Sequence, residues 1–213
     1  MNDELFDKDY FENGIVSGKS CYANYRWMPE LTMKMTYHLI KYLGLKESEK
    51  ILDFGCAKGY LVKALRLLDI EAMGCDISNY AIDNLDPGVR PYCDIITDKQ
   101  NPIPFDSNFD WIISKDVLEH MEEADIDSLL DNCYKKTSKM FHIIPLGDGN
   151  GKYIVPEYES DKTHILTKNV DWWFDKFKSR KWKVKSFSYK VPGIKDNWTE
   201  KYEKGNGFFI LEK

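Results

Sequence analysis

The run Ile51-Leu52-Asp53-Phe54-Gly55-Cys56-Ala57-Lys58-Gly59-Tyr60-Leu61 decides the fold. Its first four residues form a short apolar stretch ending near an acid, suited to a buried strand. From Leu61 onward, Val62, Ala64, Leu65 and Leu68 recur at helical spacing. A loop of small residues, 55–59, joins the two. A strand that runs through glycines into a helix turns backbone N–H groups and the positive helix end toward one point. Glycine there allows φ > 0 and lets a ligand approach the backbone closely.

Working outward, Pro29 suits the first turn of a helix, and Leu31, Met35, Leu39, Tyr42 and Leu43 recur at helical spacing up to Gly44. His38 inside that helix reads as structural. Residues 1–29 hold Phe6, Tyr10, Phe11, Tyr22, Tyr25 and Trp27 with Gly14 and Gly18, and show little periodicity. Two readings stand for them: a lid folded over a site, or an arm packed onto the core. Downstream, Glu71-Ala-Met-Gly-Cys-Asp76-Ile77 reads as a second strand ending in an acid, and Ser78 as the N-cap of a helix over 79–84. Asp86-Pro-Gly88 turns the chain into a third strand over 89–95. A fourth strand spans 109–114, an amphipathic helix 125–137 and a fifth strand 140–144. Strands alternating with helices imply a parallel sheet with right-handed crossovers. A loop with Gly and Pro, 145–164, leads to an aromatic-rich helix over 169–180. Two strand-like runs, 182–191 and 206–211, follow with no helical pattern between them, which predicts an antiparallel pair.

The chain has 213 residues, 43% hydrophobic and 14% aromatic, enough for one α/β domain with a substantial core. The expected organisation is an N-terminal arm and helix over 1–48, a possible lid, followed by the main domain over 49–213. A formal net charge of −5 argues against a constitutive duplex-DNA binder. No apolar run reaches membrane-span length, and the acidic start Met1-Asn-Asp-Glu has no signal-peptide apolar core. The five cysteines, Cys21, Cys56, Cys75, Cys93 and Cys133, are odd in number and lack C-x-x-C spacing, which predicts a reducing, cytoplasmic setting.

The glycine loop admits two ligand classes. A dinucleotide fingerprint counted from Gly55 would need glycines at Ala57 and Tyr60, and Tyr60 is too bulky where helix meets strand. Asp53-Phe54-Gly55-Cys56-Ala57-Lys58-Gly59 instead resembles the first motif of the class I S-adenosylmethionine-dependent methyltransferases, with Ala57 in place of the usual middle glycine. The resemblance covers residues 50–213 and is weakest after Pro145. It implies a Rossmann-like, doubly wound, seven-stranded, mostly parallel sheet with an antiparallel last strand. It also implies S-adenosyl-L-methionine as cofactor and S-adenosyl-L-homocysteine as product.

In open parallel sheets ligands lie outside the carboxyl ends of the strands. Asp53, Asp76 and Asp94 end consecutive strands, and Asp116 lies just beyond the fourth. Under the resemblance, Asp76 accepts from the ribose hydroxyls and Asp94 from the adenine amino group, with Ile77 and Ile95 beside the base. Asp53 faces the cationic methionine end, while Gly55, Cys56, Ala57, Gly59 and Lys115 complete the cofactor site. A sulfonium plus an ammonium favours such a carboxylate-lined cleft.

Ser114-Lys115-Asp116-Val117-Leu118-Glu119-His120 resembles the fourth-strand motif of small-molecule methyltransferases. It implies His120 beside the donor methyl as a general base, its ordinary pKa near ~6.5 allowing it to accept a hydroxyl proton. A purely hydrogen-bonding role for His120 is the alternative. Asp116 and Glu119 are weaker bases unless desolvated. Asp161-Lys162-Thr163-His164-Ile165 resembles the substrate-side motif of a subset that includes sugar and polyketide enzymes. It implies His164 as a second base or an acceptor ligand; a surface loop histidine is the alternative. His142, alternating within an apolar strand, reads as a satisfied core histidine.

The absence of (Asp/Asn)-Pro-Pro-Tyr and of Pro-Cys after the fourth strand argues against DNA-base methylation. The leading expectation is therefore a small hydroxylated acceptor, sugar-like or natural-product-like. The alternatives are an RNA or protein N-methyltransferase and a non-catalytic S-adenosylmethionine-binding module. Cys56, Cys75 and Cys93 fall near three neighbouring strand ends, but thiolate ligands there would collide with the adenosyl pocket, so no metal is expected. Lys176, Lys178, Arg180, Lys181, Lys183, Lys185, Lys190 and Lys195 lie among Trp182, Phe187 and Tyr189. This is either an anion-binding face, nucleic acid included, or a set of lysines guarding the edge formed by the sixth strand, and the guard is the favoured reading.

Overall fold

A computed structural model of the chain describes residues 3–213. Before the sheet come three helices, α1 (Lys8–Glu12), α2 (Gly14–Ser17) and α3 (Pro29–Leu43). The sheet region runs β1 (Lys50–Phe54), α4 (Tyr60–Leu67), β2 (Glu71–Asp76), α5 (Asn79–Asp83), β3 (Cys93–Ile95), β4 (Trp111–Lys115), α6 (Glu123–Lys136) and β5 (Lys139–Pro145). It ends with α7 (Val170–Ser179), β6 (Lys183–Ser188), α8 (Asp196–Lys201) and β7 (Asn206–Glu212). The seven strands form one sheet in the order β3-β2-β1-β4-β5-β7-β6. The first five are parallel, and β7 inserts antiparallel between β5 and β6. The chain moves outward from β1 to β3 and then returns to the other side of β1 for β4. That reversal places a crevice at the carboxyl ends of β1 and β4.

Alternation along the strands feeds two cores. Leu52, Ile112 and Met140 face α6 and α7, where Ile126, Leu129, Leu130, Trp173 and Phe177 complete one layer. Ile51, Ile113 and Phe141 face the opposite way, against Leu39 of α3 and Leu61, Val62 and Leu65 of α4. Truncating one of these fully buried residues, Leu52→Ala for example, costs about 2–5 kcal/mol. Because the apolar stripe of α3 packs into the second layer, that helix belongs to the core of the domain. Residues 3–28 precede that helix.

Three further differences from the sequence reading have local causes. The third strand has only three residues, because Arg90–Tyr92 forms a 3-10 turn around Pro91, which has no N–H to give a ladder. A short helix, α8, lies between β6 and β7; at six residues it is too short to print a periodicity. Lys195, placed among the edge lysines by the charge pattern, has its side chain buried instead. Four of the other seven cations of that stretch have ion-pair partners. Lys176 binds Glu123 and Asp127, Arg180 binds Asp131, Lys185 lies 3.4 Å from Glu212 and Lys190 3.5 Å from Glu200. β6 is the sheet edge, and a register shift between Val184 and Ser186 interrupts its ladder, as guarded edges do. Among the described residues no helix is long and apolar enough to cross a membrane.

Candidate active site

The loop after β1 is shaped by its glycines. Gly55 holds φ 81°, and a Cβ there would lie 2.4 Å from the Val117 side chain, so only glycine fits. Gly59, with φ 75°, starts α4. Ala57 sits between them at φ 49°, a left-handed backbone costing a non-glycine residue about 1–2 kcal/mol. The loop is stitched to β2: Gly55 and Cys56 donate N–H bonds to the Cys75 carbonyl at 2.8 and 3.0 Å. Ala57 N–H donates to Asp76 Oδ2 at 2.7 Å.

Above this loop, at the ends of β1, β2 and β4, lies a cavity of about 280 Å³. Asp53, Gly55, Cys56, Ala57, Asp76, Ile77, Lys115, Asp116 and His120 line it. Gly59, Asp94, Ile95 and His164 are not on its wall, and Ile96 is. Asp94 is exposed, its carboxylate turned to the Ile95 N–H. β3 stops at Ile95, so the period of two ends there and the next residue, Ile96, supplies the apolar wall.

The three acids on the wall are in different states. Asp53 is 4% exposed; burial, reinforced by the charge of Asp76 and opposed by Lys115, pushes its pKa up to about 7. Burial also raises Asp76, opposed by N–H bonds from Ser78 at 2.8 Å and from Ala57. For Asp116 burial acts upward too, but Lys115 and Lys195, each with Nζ 2.5 Å from a carboxylate oxygen, outweigh it. They hold the carboxyl well below the usual carboxylate range. A carboxylate clamped by two lysines is a poor proton acceptor, so Asp116 fixes charge and position. Lys195 packs 4.8 Å from the Tyr158 ring centre.

Beyond Asp116 the 3-10 turn Leu118–His120 carries a second group of titratable side chains. The Glu119 carbonyl accepts N–H bonds from Ile165 and Leu166, both at 3.0 Å, which lays the loop after β5 onto this turn. His164 thereby comes beside His120, with ring centres 4.6 Å apart. His120 Nδ1 is 2.8 Å from Thr163 Oγ1, and Thr163 Oγ1 donates to Asp161 Oδ1 at 2.6 Å. The hydroxyl has one proton, so His120 donates Nδ1–H to it and keeps a lone pair on Nε2. Burial, with His164 alongside, lowers the His120 pKa to about 4, and burial lowers that of His164 as well. Both rings are therefore neutral near pH 7. Burial pushes the Glu119 carboxyl well above its ordinary value. His142 lies elsewhere, in the core: Nδ1 pairs with Ser114 Oγ at 2.7 Å, while Nε2 has no partner among the described residues, so the core histidine is only half satisfied.

The N-terminal arm forms the roof. Phe6, Tyr10, Phe11, Tyr22 and Tyr25 line the cavity from above. Ser78 Oγ, which caps α5 by accepting from Ala81 N–H at 3.0 Å, donates to the Phe6 carbonyl at 2.6 Å. Lys58 donates to the Tyr25 carbonyl at 3.0 Å and pairs with Glu12. Tyr10 Oη reaches Asp161 Oδ2 at 3.4 Å.

Comparison with known proteins adds a family-model match over part of the chain. Residues 52–139 match the profile of the methyltransferase domain. No curated protein matches the chain in sequence. Among solved structures, a SAM-dependent methyltransferase from Archaeoglobus fulgidus superposes with TM-score 0.62 at 16% identity, covering 87% of this chain and 97% of that one. An S-adenosylmethionine-dependent methyltransferase from Clostridium acetobutylicum gives 0.61 at 12% identity, covering 84% and 90%. The glycopeptide N-methyltransferase MtfA, solved with S-adenosyl-L-methionine, gives 0.59 at 12% identity, covering 83% and 86%. Residues 52–139, less than half of the chain, thus match the methyltransferase domain model, and the chain shares the fold of these S-adenosylmethionine-dependent methyltransferases.

Proposed function

We propose that the chain transfers a methyl group from S-adenosylmethionine to a hydroxyl of a small acceptor, sugar-like or natural-product-like. The observation that carries this reading is the joining, in one roofed cavity, of two buried strand-end carboxylates, Asp53 and Asp76, with a neutral, oriented histidine, His120. Bound there, the cofactor supplies a methyl group on a sulfonium. Its cationic end suits Asp53, and its ribose suits the carboxylate lone pairs of Asp76 that the loop N–H groups leave over. Gly55, Cys56 and Ala57 bring backbone close, and the tight contact between Gly55 and Val117 leaves no room for a side chain in that cradle. Ile77 and Ile96 give the apolar walls for the base, with Gly59 holding the turn; Lys115 and Asp116 fix the charge at the end of β4.

On the acceptor side, Phe6 and Tyr10 close over His120, with ring centres 5.5 and 6.5 Å from it. A compact acceptor fits beneath that roof better than a polymer does, and the ion pairs of Lys176, Arg180, Lys185, Lys190 and Lys195 lower the charge that the C-terminal segment offers a nucleic acid. His120, with its Nε2 lone pair held by the Asp161–Thr163 relay, meets the acceptor hydroxyl, and His164 stands behind it.

Calorimetry tests the donor half: both adenosyl ligands bind and NAD does not, and Asp76→Ala weakens binding by about 10–150-fold as charge-assisted bonds are lost. NAD binding, or a change below threefold, refutes it. For the acceptor half, labelled methyl transfer is followed over a panel of hydroxylated compounds. His120→Ala lowers kcat by about 10²–10⁴-fold with donor affinity kept within a few fold. Intact donor after hours with every acceptor would mean a binding module.

A further inference from the structure

The acceptor side holds a cluster that the surrounding protein leaves unsatisfied. His120 gives its Nδ1 proton to Thr163 across 2.8 Å, and His164 gives its own to the Tyr158 carbonyl across 2.8 Å. Each ring therefore turns a bare Nε2 lone pair inward. Both Nε2 atoms face Glu119 Oε1, at 3.9 and 4.0 Å. Glu119 is 0% exposed, and among the described residues neither of its carboxylate oxygens has a hydrogen-bond partner. Two imidazole lone pairs and the Glu119 carboxyl thus converge on one point with no hydrogen bond joining them. One ligand atom from each residue lies within 4.8 Å of the others. Buried acceptors in that arrangement repel unless a cation sits among them.

We propose that Glu119, His120 and His164 form a binding site for one divalent transition-metal ion on the acceptor side of the cavity. Metal bonds of about 2.0–2.2 Å would require the three side chains to draw in by less than roughly 1 Å each. Two imidazoles and one carboxylate select ions of the manganese-to-zinc series over magnesium and calcium, which favour oxygen ligands. The supports such ligands need are already built: Asp161 and Thr163 orient His120, and the Tyr158 carbonyl orients His164. Tyr10 of the arm reaches Asp161, so the roof closes on the same assembly.

Of the three residues only His120 is also a wall of the cavity, which puts the ion next to the space an acceptor would enter. A hydroxyl bound there gives up its proton to water more readily than a free one, its O–H electrons staying on the oxygen. His120 then orients the ion instead of accepting the proton. This chemistry rests on the hydroxyl-acceptor reading, whereas the binding site itself does not.

The test uses the full chain carrying Cys21→Ser, so that the exposed thiol cannot ligate, after treatment with a chelator. Co²⁺ alone is titrated and followed by its visible absorption. The expected result is one ion per chain, displaced by Zn²⁺ and not by equal Mg²⁺. Glu119→Gln and His164→Ala each weaken binding at least about 10-fold. Glu119→Gln removes no protein hydrogen bond, and melting curves with S-adenosylhomocysteine calorimetry confirm that both variants are folded. No saturable Co²⁺ uptake, or uptake unchanged in both variants, overturns the site. Loss of donor binding in a chain that still takes up Co²⁺ would strike the methyltransferase reading alone.

Discussion

The proposed seat of the donor's cationic end on Asp53 makes donor binding sensitive to pH in a defined direction. In the ligand-free protein its pKa stands at about 7 because the carboxyl is buried beside Asp76. A sulfonium and an ammonium placed against it favour the charged form, so binding draws its pKa down and releases a proton. Affinity must then rise with pH while Asp53 loses its proton, and level off above about pH 7. The ionised fraction is about 3% at pH 5.5 and about half at pH 7, so the association constant rises about 15-fold across that range. The donor's own amino group, with an ordinary pKa of about 7.7–8.0, stays charged over the same window. Isothermal calorimetry in two buffers of different ionisation enthalpy measures both the affinity and the proton released, about half a proton at pH 7. Asp53→Asn should bind more weakly and lose the slope. An affinity flat from pH 5.5 to 7, or a slope that survives Asp53→Asn, would refute the placement of the cationic end on Asp53.

Two further outcomes are expected. His142 is held neutral, burial lowering its pKa to about 3, while its unfolded value is near 6.5. The unfolded chain therefore binds the extra proton, and stability falls as pH drops below 6.5, by about 2 kcal/mol at pH 5; His142→Phe should remove that part of the acid sensitivity in urea melts, and an unchanged pH slope would reject it. In the arm, α2 carries Val16 at 91% and Ile15 at 63% exposure, next to the exposed Gly18; proteolysis there should slow when S-adenosylhomocysteine is present, and equal rates would leave the arm as plain packing.

What could be read beforehand was what local pattern encodes. The β1-loop-α4 unit, the acids at Asp53 and Asp76 and the helix from Pro29 follow from periodicity and turn chemistry within windows of a dozen residues. The choice between Ile95 and Ile96 depended on where β3 stops, which Pro91 and the pairing of Ile95 with Asp76 decide. Lys195 looked like one more edge lysine because its partner, Asp116, is 79 residues away. The sequence triplet Leu118-Glu119-His120 drew attention to the histidine. Nothing in its spacing announces that the Glu119 carbonyl captures the loop at Ile165 and Leu166 and carries His164 in with it. Contacts of that kind are set by the tertiary path of a loop, which leaves no period in the sequence.

The insertion of β7 between β5 and β6 has a consequence for the growing chain. β7 follows β6 in the chain yet takes an interior place in the sheet, and until it emerges from the ribosome β5 is an open edge. That edge is apolar on both faces, with Met140 and Ile144 toward one layer and Phe141 and Ile143 toward the other. Its unpaired N–H and C=O groups await Phe208, Phe209 and Ile210. Lys195, which completes the clamp on Asp116, also arrives only after β6. A nascent chain, or one cut before β7, consequently exposes an unpaired parallel-sheet edge, and one cut before Lys195 lacks half of the clamp on Asp116 as well, which leaves that edge prone to pairing with other chains.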